Sequence, residues 1–505
     1  MPQVQHEDQQ ARDDRRRGAR PRRAWRNEPM SAKSLRLAGA LVAIVSTSGC
    51  ATVQAGMGFD EVGHTVAERT GRRIHWNQGT AADEAVEQEV AALLGKPLTA
   101  ESAVQIALLN NPNLQATYEE LNIAQADLVA AGLFRNPVFD AELRFATEGG
   151  GTGFEMALVQ DFIDILYIPL RKGIAGANFE AAKQRVAGEV IDLAGRARAA
   201  FYTAQASAQA LEMRKKVRAA TEASYALAGR LRAAGNITEL ELANERALFE
   251  QARLDLRTAE LESFRARERL NVLVGLWGEQ TAWTTSARLP EPRPDEVGPE
   301  GLERLAVERS LDLGIARAEI ERAARALGLA RPFAVFADAG LGVTAEREQE
   351  GDLGLGPAVA LPLPFFNQGQ PAVSAARAEL RSAGERYRAQ AVALRSQVRA
   401  AHAAVTAARE RAEYYAKVLL PLRQRIVEQT QLQYNAMQVG AFQLLQAKTE
   451  QIDAGEAYIR ALLKYWLAQT ELDQLLSGRM TSLEATANMN SGRSPSGPAP
   501  GGGGH

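Results

Sequence analysis

Two periods of apolar residues alternate along this chain. Between Pro137 and Ala146, Phe139, Ala141, Leu143 and Phe145 alternate with Asp140, Glu142 and Arg144. That period of two predicts a strand with one apolar and one charged face. Glu148 to Gly153 reads as a turn, after which Phe154, Met156 and Leu158 alternate with Glu155, Ala157 and Val159. The pattern returns later in the chain. Val335, Ala337, Ala339, Leu341 and Val343 share one face, a polar loop follows, and Leu353, Leu355, Val359 and Leu361 share the next. Two β-hairpins are therefore expected, at 137–162 and 333–362, with strands about ten residues long, the length of a tilted membrane-crossing strand.

Each hairpin leads into a helical pattern of unusual length, from Phe179 to Ala233 and from Ala372 to Met437. At ~1.5 Å per residue each spans on the order of 80–100 Å. In the first, Val186, Val190, Leu193, Ala197, Ala200, Ala204 and Leu211 recur at alternating spacings of four and three, with Ser207 in the gap. In the second, Leu380, Tyr387, Ala391, Leu394, Val398, Ala401, Val405, Ala408 and Ala412 do the same. These are heptad seams, rich in Ala, which allows close helix approach. Pro421 is expected to kink the second helix. At Gly235 and Gly440 the pattern breaks, and Gly is where a helix can end in a left-handed cap. Returning helices follow, Thr238 to Val274 and Phe442 to Leu476, and Thr238 with Glu241 forms a capping box for the first of them. The chain therefore makes two helical hairpins, each with a tip at a Gly.

The plan is used twice. Ala107, Leu114 and Leu128 match Ala306, Leu313 and Leu327 at one offset, and Gly235 with Gly440 and Gly275 with Gly478 nearly keep it. The expected organisation is a first repeat at 97–288, a linker at 289–298 and a second repeat at 299–480, preceded by an N-terminal linker at 50–96 and followed by a disordered tail at 481–505. The N-terminal linker is read as running along the outside of the body, with one helical pattern from Ala82 to Leu94. The fold class is mainly α with membrane β-hairpins. Four strands cannot close a barrel, and an open edge in lipid leaves backbone groups unpaired at several kcal/mol each. Three copies would supply twelve strands and a closed ring. The alternative is a soluble hairpin packed on the helices.

Lys33 and Arg36 precede a short apolar run, Leu37 to Val45, then Ser46-Thr47-Ser48-Gly49 and Cys50, the one cysteine of the chain. That is a secretory signal at 30–49, too short to span a bilayer. Residues 1–29 do not fit before a signal, so translation is expected to start at Met30, the alternative being a disordered basic leader. This changes the charge picture. The whole chain carries 59 Lys and Arg and 61 Asp and Glu, but residues 1–29 hold eight Arg and five acids, and 30–49 add two bases. From Cys50 onward there remain 49 bases and 56 acids, a net charge of −7. No basic stripe for nucleic acid is left. The five histidines, His6, His64, His75, His402 and His505, show no metal-ligand spacing. His64 and His75 are read as surface residues. The scattered Met residues draw no path for a soft metal, and no nucleophile elbow or paired-carboxylate motif is present. The chain reads as a non-enzyme without a cofactor.

The duplicated plan, the long seams and the phrases Leu361 to Gly369 and Gln160 to Arg171, each closing a hairpin before a long helix, resemble the TolC-like outer-membrane efflux proteins over residues 97–480. Thr47 to Cys50 resembles a bacterial lipobox, with Thr47 where the pattern usually has Leu. It implies a lipid anchor on Cys50. The wider resemblance implies a homotrimer, with a twelve-stranded barrel in outer-membrane lipid and a helical tunnel through the periplasm. The tunnel would meet a periplasmic adaptor (membrane fusion) protein and an inner-membrane pump of the resistance-nodulation-division type, for heavy metals or drugs. Type I protein secretion, and a structural periplasmic coiled coil without a pore, are the alternatives. The tips are then the docking point, with Gly235, Asn236, Val439, Gly440 and Ala441 in contact with the adaptor. Glu239, Glu241, Gln443 and Gln446 are tunnel-mouth candidates. An Asp that narrows the mouth in many relatives has no counterpart in Gln443 to Ala447.

Overall fold

The computed structural model describes residues 54–145, 152–160, 164–294, 298, 300–336, 340–347, 353–361, 363 and 365–481. The leader, the signal segment with Cys50, residues 148–151 of the first expected turn, Ala337, Ala339 and the C-terminal tail from 482 lie outside the described residues, while Thr152 and Gly153 of that turn belong to a strand.

Helix α1 (Phe59–Thr70) and helix α2 (Ala81–Leu94) come first. The first half then runs α3 (Ala100–Asn110), α4 (Pro112–Ala131), β1 (Val138–Phe145), β2 (Thr152–Gln160), α5 (Asp164–Ala233) and α6 (Glu239–Val274). The second half repeats that order: α7 (Leu302–Arg309), α8 (Leu311–Phe336), β3 (Gly340–Arg347), β4 (Leu353–Ala360), α9 (Gln370–Tyr414) continuing into α10 (Leu420–Asn435), and α11 (Ala441–Leu476). Ala107 and Ala306 are both fully buried, as are Leu114 and Leu313. Gly275 and Gly478 both take left-handed backbone, φ 73° and 100°. A Cβ on either would run into a main-chain carbonyl, that of Asn110 for Gly275 and of Arg309 for Gly478. Asn110 and Arg309 are related by the same offset as Ala107 and Ala306, so one packing device closes both halves. Gly478→Ala is expected to cost several kcal/mol through strain and overlap, read as a lowered thermal midpoint. An unchanged midpoint would show that this junction is not tight.

The α5 seam is buried from Val186 to Ala204, and Ser207 and Leu211 are half-buried. The α9 seam buries Leu394, Val398, Ala401, Val405 and Ala412. Along the part that leads to the tips, α6 packs on α5, α5 on α11, and α11 on α9 and α10. Tyr202 stacks on Trp466 across the two halves, with ring centroids 4.7 Å apart. The inter-repeat stretch lies over this pair: Trp466 Nε1 donates to the Pro290 carbonyl at 2.9 Å, and the Arg293 amide donates to the Tyr465 hydroxyl at 3.1 Å.

Several expectations are corrected. Helix α5 begins at Asp164, not Phe179, and passes through Pro169, giving 70 residues and about 105 Å. Val335 is helical, because α8 runs through Pro332 to Phe336; the second hairpin starts at Gly340, not 333. The run Phe333-Ala334-Val335-Phe336 has no turn residue, and a short apolar run reads equally as helix or strand. At Pro421, where a kink is expected, the structure adds a π-helical turn, Tyr415–Leu419, one residue ahead of the ring. The wider turn absorbs the ring and the missing amide. The segment ahead of α3 holds two helices rather than one. Helix α1 docks on α5 through buried Val62 and Val66, and Phe59 and Trp76 close around Tyr118, with Phe59 and Tyr118 centroids 5.0 Å apart. Lys183 of α5 pairs with Glu61. His75 is half-buried, and its Nε2 lies 2.6 Å from Asp83 Oδ1. That bond first, and the Thr80 amide after it, hold the Asp83 carboxyl below its ordinary value.

Candidate functional site

The sheet is a single antiparallel meander in the order β1-β2-β3-β4, so the two hairpins join edge to edge through β2 and β3. Cross-strand partners share a face. Phe139 pairs with Leu158, which pairs with Val343; Ala141 pairs with Met156, which pairs with Ala345 and then Leu355. That face is apolar through the middle of all four strands; its polar residues are Thr152 and Gln160 at the ends of β2 and Arg347 at the end of β3, between Phe154 and Leu353. The opposite face carries Asp140, Glu142, Arg144, Glu155, Thr344 and Glu346 among small residues such as Ala157, Gly342 and Gly356. Arg144 bonds Glu142 and Glu155 at 3.0 Å each. No helix covers either face of β1, all of whose residues are exposed. Phe139, Leu143, Phe145, Leu353, Leu355 and Val359 all stand in the open, and beyond β4 so do Leu363, Phe365 and Phe366. The outer strands β1 and β4 keep one ladder edge unpaired. Among the described residues no helix is long and apolar enough to cross a membrane.

At the far end of the helices the two tips share one geometry. In the first, Gly235 is left-handed (φ 75°), and the Asn236 amide closes back on the Leu231 carbonyl at 2.9 Å. Thr238 then caps α6, its hydroxyl accepting from the Glu241 amide at 3.2 Å while the Glu241 carboxylate accepts from the Thr238 amide at 2.7 Å. In the second, the left-handed residue is Met437 (φ 58°), the single non-Gly residue with positive φ among those described, and the Gln438 amide closes on Gln433 at 2.9 Å.

Gly440 is therefore not a left-handed helix stop. Its φ is −80° and ψ 167°, and it begins α11 as N-cap without a side-chain cap. The structural counterpart of Gly235 is Met437, and that of Gly440 is Thr238. Sequence matching paired the two glycines because only residue type was visible. The same shift pairs Ile237 with Val439, both half-buried, and Leu240 with Phe442, both exposed. Met437, Leu240 and Phe442 were missed; their signal was an apolar residue within one turn of each break. Met437 is 95% exposed. Met437→Gly is expected to stabilise the tip by on the order of 0.5–1 kcal/mol, by removing left-handed strain. Amide exchange at Gln438 reads it, and faster exchange in the variant would refute the strain.

The tunnel-mouth candidates are held locally rather than gathered. Glu239 pairs with Arg232 at 3.1 Å. The Thr238 amide, and then its hydroxyl, hold the Glu241 carboxyl below its ordinary value. Gln446 donates to Glu450 at 3.1 Å, and Glu450 pairs with Arg423. Gln443 reaches toward Gly440, where a Cβ would lie 3.2 Å from its Oε1. Asn236 and Val439 fall between the left-handed residue and the cap, and Ala441 opens α11. Among the described residues no group of three or more His, Cys, Asp or Glu could hold a metal ion.

No family model matches the chain. A curated relative, the cobalt-zinc-cadmium resistance protein CzcC of Cupriavidus metallidurans, is 23% identical over 390 residues, which cover 75% of this chain and 90% of that one. A membrane protein from Pseudomonas aeruginosa has a solved structure with TM-score 0.62 and 20% identity, covering 75% of this chain and 93% of that one. The CmeC outer membrane channel of Campylobacter jejuni gives TM-score 0.64 at 15% identity, covering 77% and 88%. This chain has the fold of the TolC-like outer-membrane channels, as its paired hairpins and seams implied.

Proposed function

We propose that this protein is the outer-membrane channel of a tripartite efflux system, a passive duct whose driving energy comes from a separate inner-membrane pump. One observation carries the reading: a four-stranded sheet with one face apolar through its middle and polar at the strand ends, one polar face and two unpaired edges. In water such a sheet has nothing to hide its apolar face. In lipid its edges require neighbours, because unpaired backbone groups cost several kcal/mol each there. Sister protomers placing β1 beside β4 satisfy both demands, with three copies closing a ring of twelve strands. The polar face then lines the lumen. A coiled coil without a pore has no use for these strands. The relative named for cobalt, zinc and cadmium resistance supports heavy-metal export, with drugs as the second substrate class.

The tips sit at the end remote from the strands, and their exposed apolar residues suit docking by a periplasmic adaptor, which would pull the mouth open. Gly235, Asn236, Val439, Gly440 and Ala441 are the proposed contacts, and Glu239, Glu241, Gln443 and Gln446 lie just behind them. Cys50 is the proposed lipid anchor. Membrane fractionation with chemical crosslinking tests the whole reading: a trimer in the outer membrane is expected, and a soluble monomer or dimer would refute it. Gly440→Trp tests the docking. The extended backbone at Gly440 accepts any residue, so the trimer should form while metal or drug tolerance falls to the level of a strain lacking the gene. Undiminished export would remove the tip as the docking point.

A further inference from the structure

Midway along the helical body lies a cavity of about 420 Å³ for which the duct reading has no use. It sits where the end of α1, the middle of α5, helix α7 and the end of α11 converge. Arg69, Arg72, Arg198 and Arg309 line it, against a single acid, Asp473. That acid is already committed, accepting from Arg198 at 3.2 Å and from Gln469 at 2.8 Å. Arg69 is committed differently: it donates to the main-chain carbonyls of Arg309 and Ser477. Those acceptors are neutral, and the acid whose charge reaches it, the exposed Glu68, lies outside the lining. Arg72 and Arg309 pair with no acid among the described residues. Burial lowers the Arg69 guanidinium below its ordinary value; the charge of Glu68 takes back part of that, and the charge of Arg309 adds to it. This crowding runs against the composition of a chain with 49 bases and 56 acids from Cys50 onward.

Four guanidinium groups around one half-enclosed space outnumber the one acid that lines it, and an anion would relieve that imbalance. We propose that this cavity binds an oxyanion carrying two or more negative charges, phosphate or carboxylate. The free forks of Arg72 and Arg309 grip it in the bidentate geometry that planar guanidinium offers. Arg198, fixed by Asp473, and Arg69, fixed by two carbonyls, complete a positive wall, with buried Ile191 as apolar floor. The volume suits a ligand between a phosphate ester and a short acidic peptide. An occupant would tie together α5 of the first half, α7 and α11 of the second, and the N-terminal α1. Binding to the folded form alone therefore stabilises the assembly by mass action.

The test uses the full-length protein purified in detergent. Thermal unfolding is followed with inorganic pyrophosphate and, separately, with citrate, each against sodium chloride at equal ionic strength. At least one of the two anions should raise the midpoint by a few degrees at millimolar concentration. Arg72→Gln and Arg309→Gln should each weaken that anion about ten-fold, the loss of one charged hydrogen-bonding fork. A response to pyrophosphate alone marks a phosphate-bearing ligand, and to citrate alone a carboxylate-bearing one. Neither substitution removes a contact that holds the fold, so midpoints without anion should stay level or rise as repulsion is relieved. If a Gln variant does not fold, Arg→Lys at that position keeps the charge, loses the fork and should still bind more weakly than the parent. Identical midpoints in both anions and in chloride, or shifts that survive both substitutions, overturn the proposal.

Discussion

Met156→Arg is expected to abolish insertion of the protein into the outer membrane, and Ala157→Arg, one residue along, to leave it intact. Both residues lie in the middle of β2 and at nearly the same depth. Met156 stands on the apolar face between Ala141 and Ala345, whereas Ala157 stands on the polar face between Asp140 and Thr344. An Arg facing lipid near the bilayer midplane costs about 2–4 kcal/mol, and a ring of three copies carries that cost three times. An Arg in a polar lumen beside Asp140 costs little. Crosslinked trimer in the membrane fraction is the measurement. Equal behaviour of the two variants, or failure of Ala157→Arg alone, would show that the faces are not divided between lipid and lumen.

Arg479→Ala should cost about 3–5 kcal/mol, because it strips the shared partner from partly buried acids. Arg479 follows the left-handed Gly478 and bonds Asp192 Oδ2 at 2.7 Å, Asp312 Oδ1 at 2.6 Å and Glu189 Oε1 at 3.3 Å. Asp192 belongs to α5 and Asp312 to α8, so one side chain joins the end of the second half to the long helix of the first. Asp192 Oδ1 also accepts from Gln474 at 2.7 Å, and the Met480 amide donates to Asp312 Oδ2 at 2.7 Å. Burial pushes the Asp192 carboxyl above its ordinary value, and the charge of Arg479 takes back only part of that. Without Arg479 it rises further. The folded form of the variant then holds a proton that the unfolded form releases. Its stability is therefore greatest below the ordinary carboxylate pKa of about 4 and declines as pH rises through the folded value. Thermal midpoints across pH 4–8 read this, and adding Asp192→Asn and Asp312→Asn should restore part of the loss at pH 7. A variant that melts like the parent at every pH would show that the junction is held by packing alone.

Both experiments depend on residues whose surroundings were unequally legible. The faces of β1 and β2 could be read because a strand alternates its side chains with a fixed period, so Phe139 and Asp140 had to part. The seam from Val186 to Ala204 followed from the heptad in the same way. Arg479 could not be read, since nothing near it in the chain marks it. Its partners lie more than 160 positions away. The tips fall between these cases. The breaks were evident, but Gly440 was given the backbone role that Met437 holds, because Gly is the usual left-handed residue and a strained Met is not anticipated from type.

The sequence by itself determined the duplication, the two hairpins, the long seams and the breaks at the tips. Each depends on periods or residue types within a few turns of chain, which local backbone geometry turns directly into faces and stops. Only the tertiary structure decided that β2 and β3 join the hairpins into one sheet. It alone docked α1 on α5, placed Pro421 behind a π-turn, and gathered Arg69, Arg72, Arg198 and Arg309 around one cavity. Those outcomes depend on which distant surfaces meet. Periodicity says that a face seeks a partner, and packing alone chooses the partner.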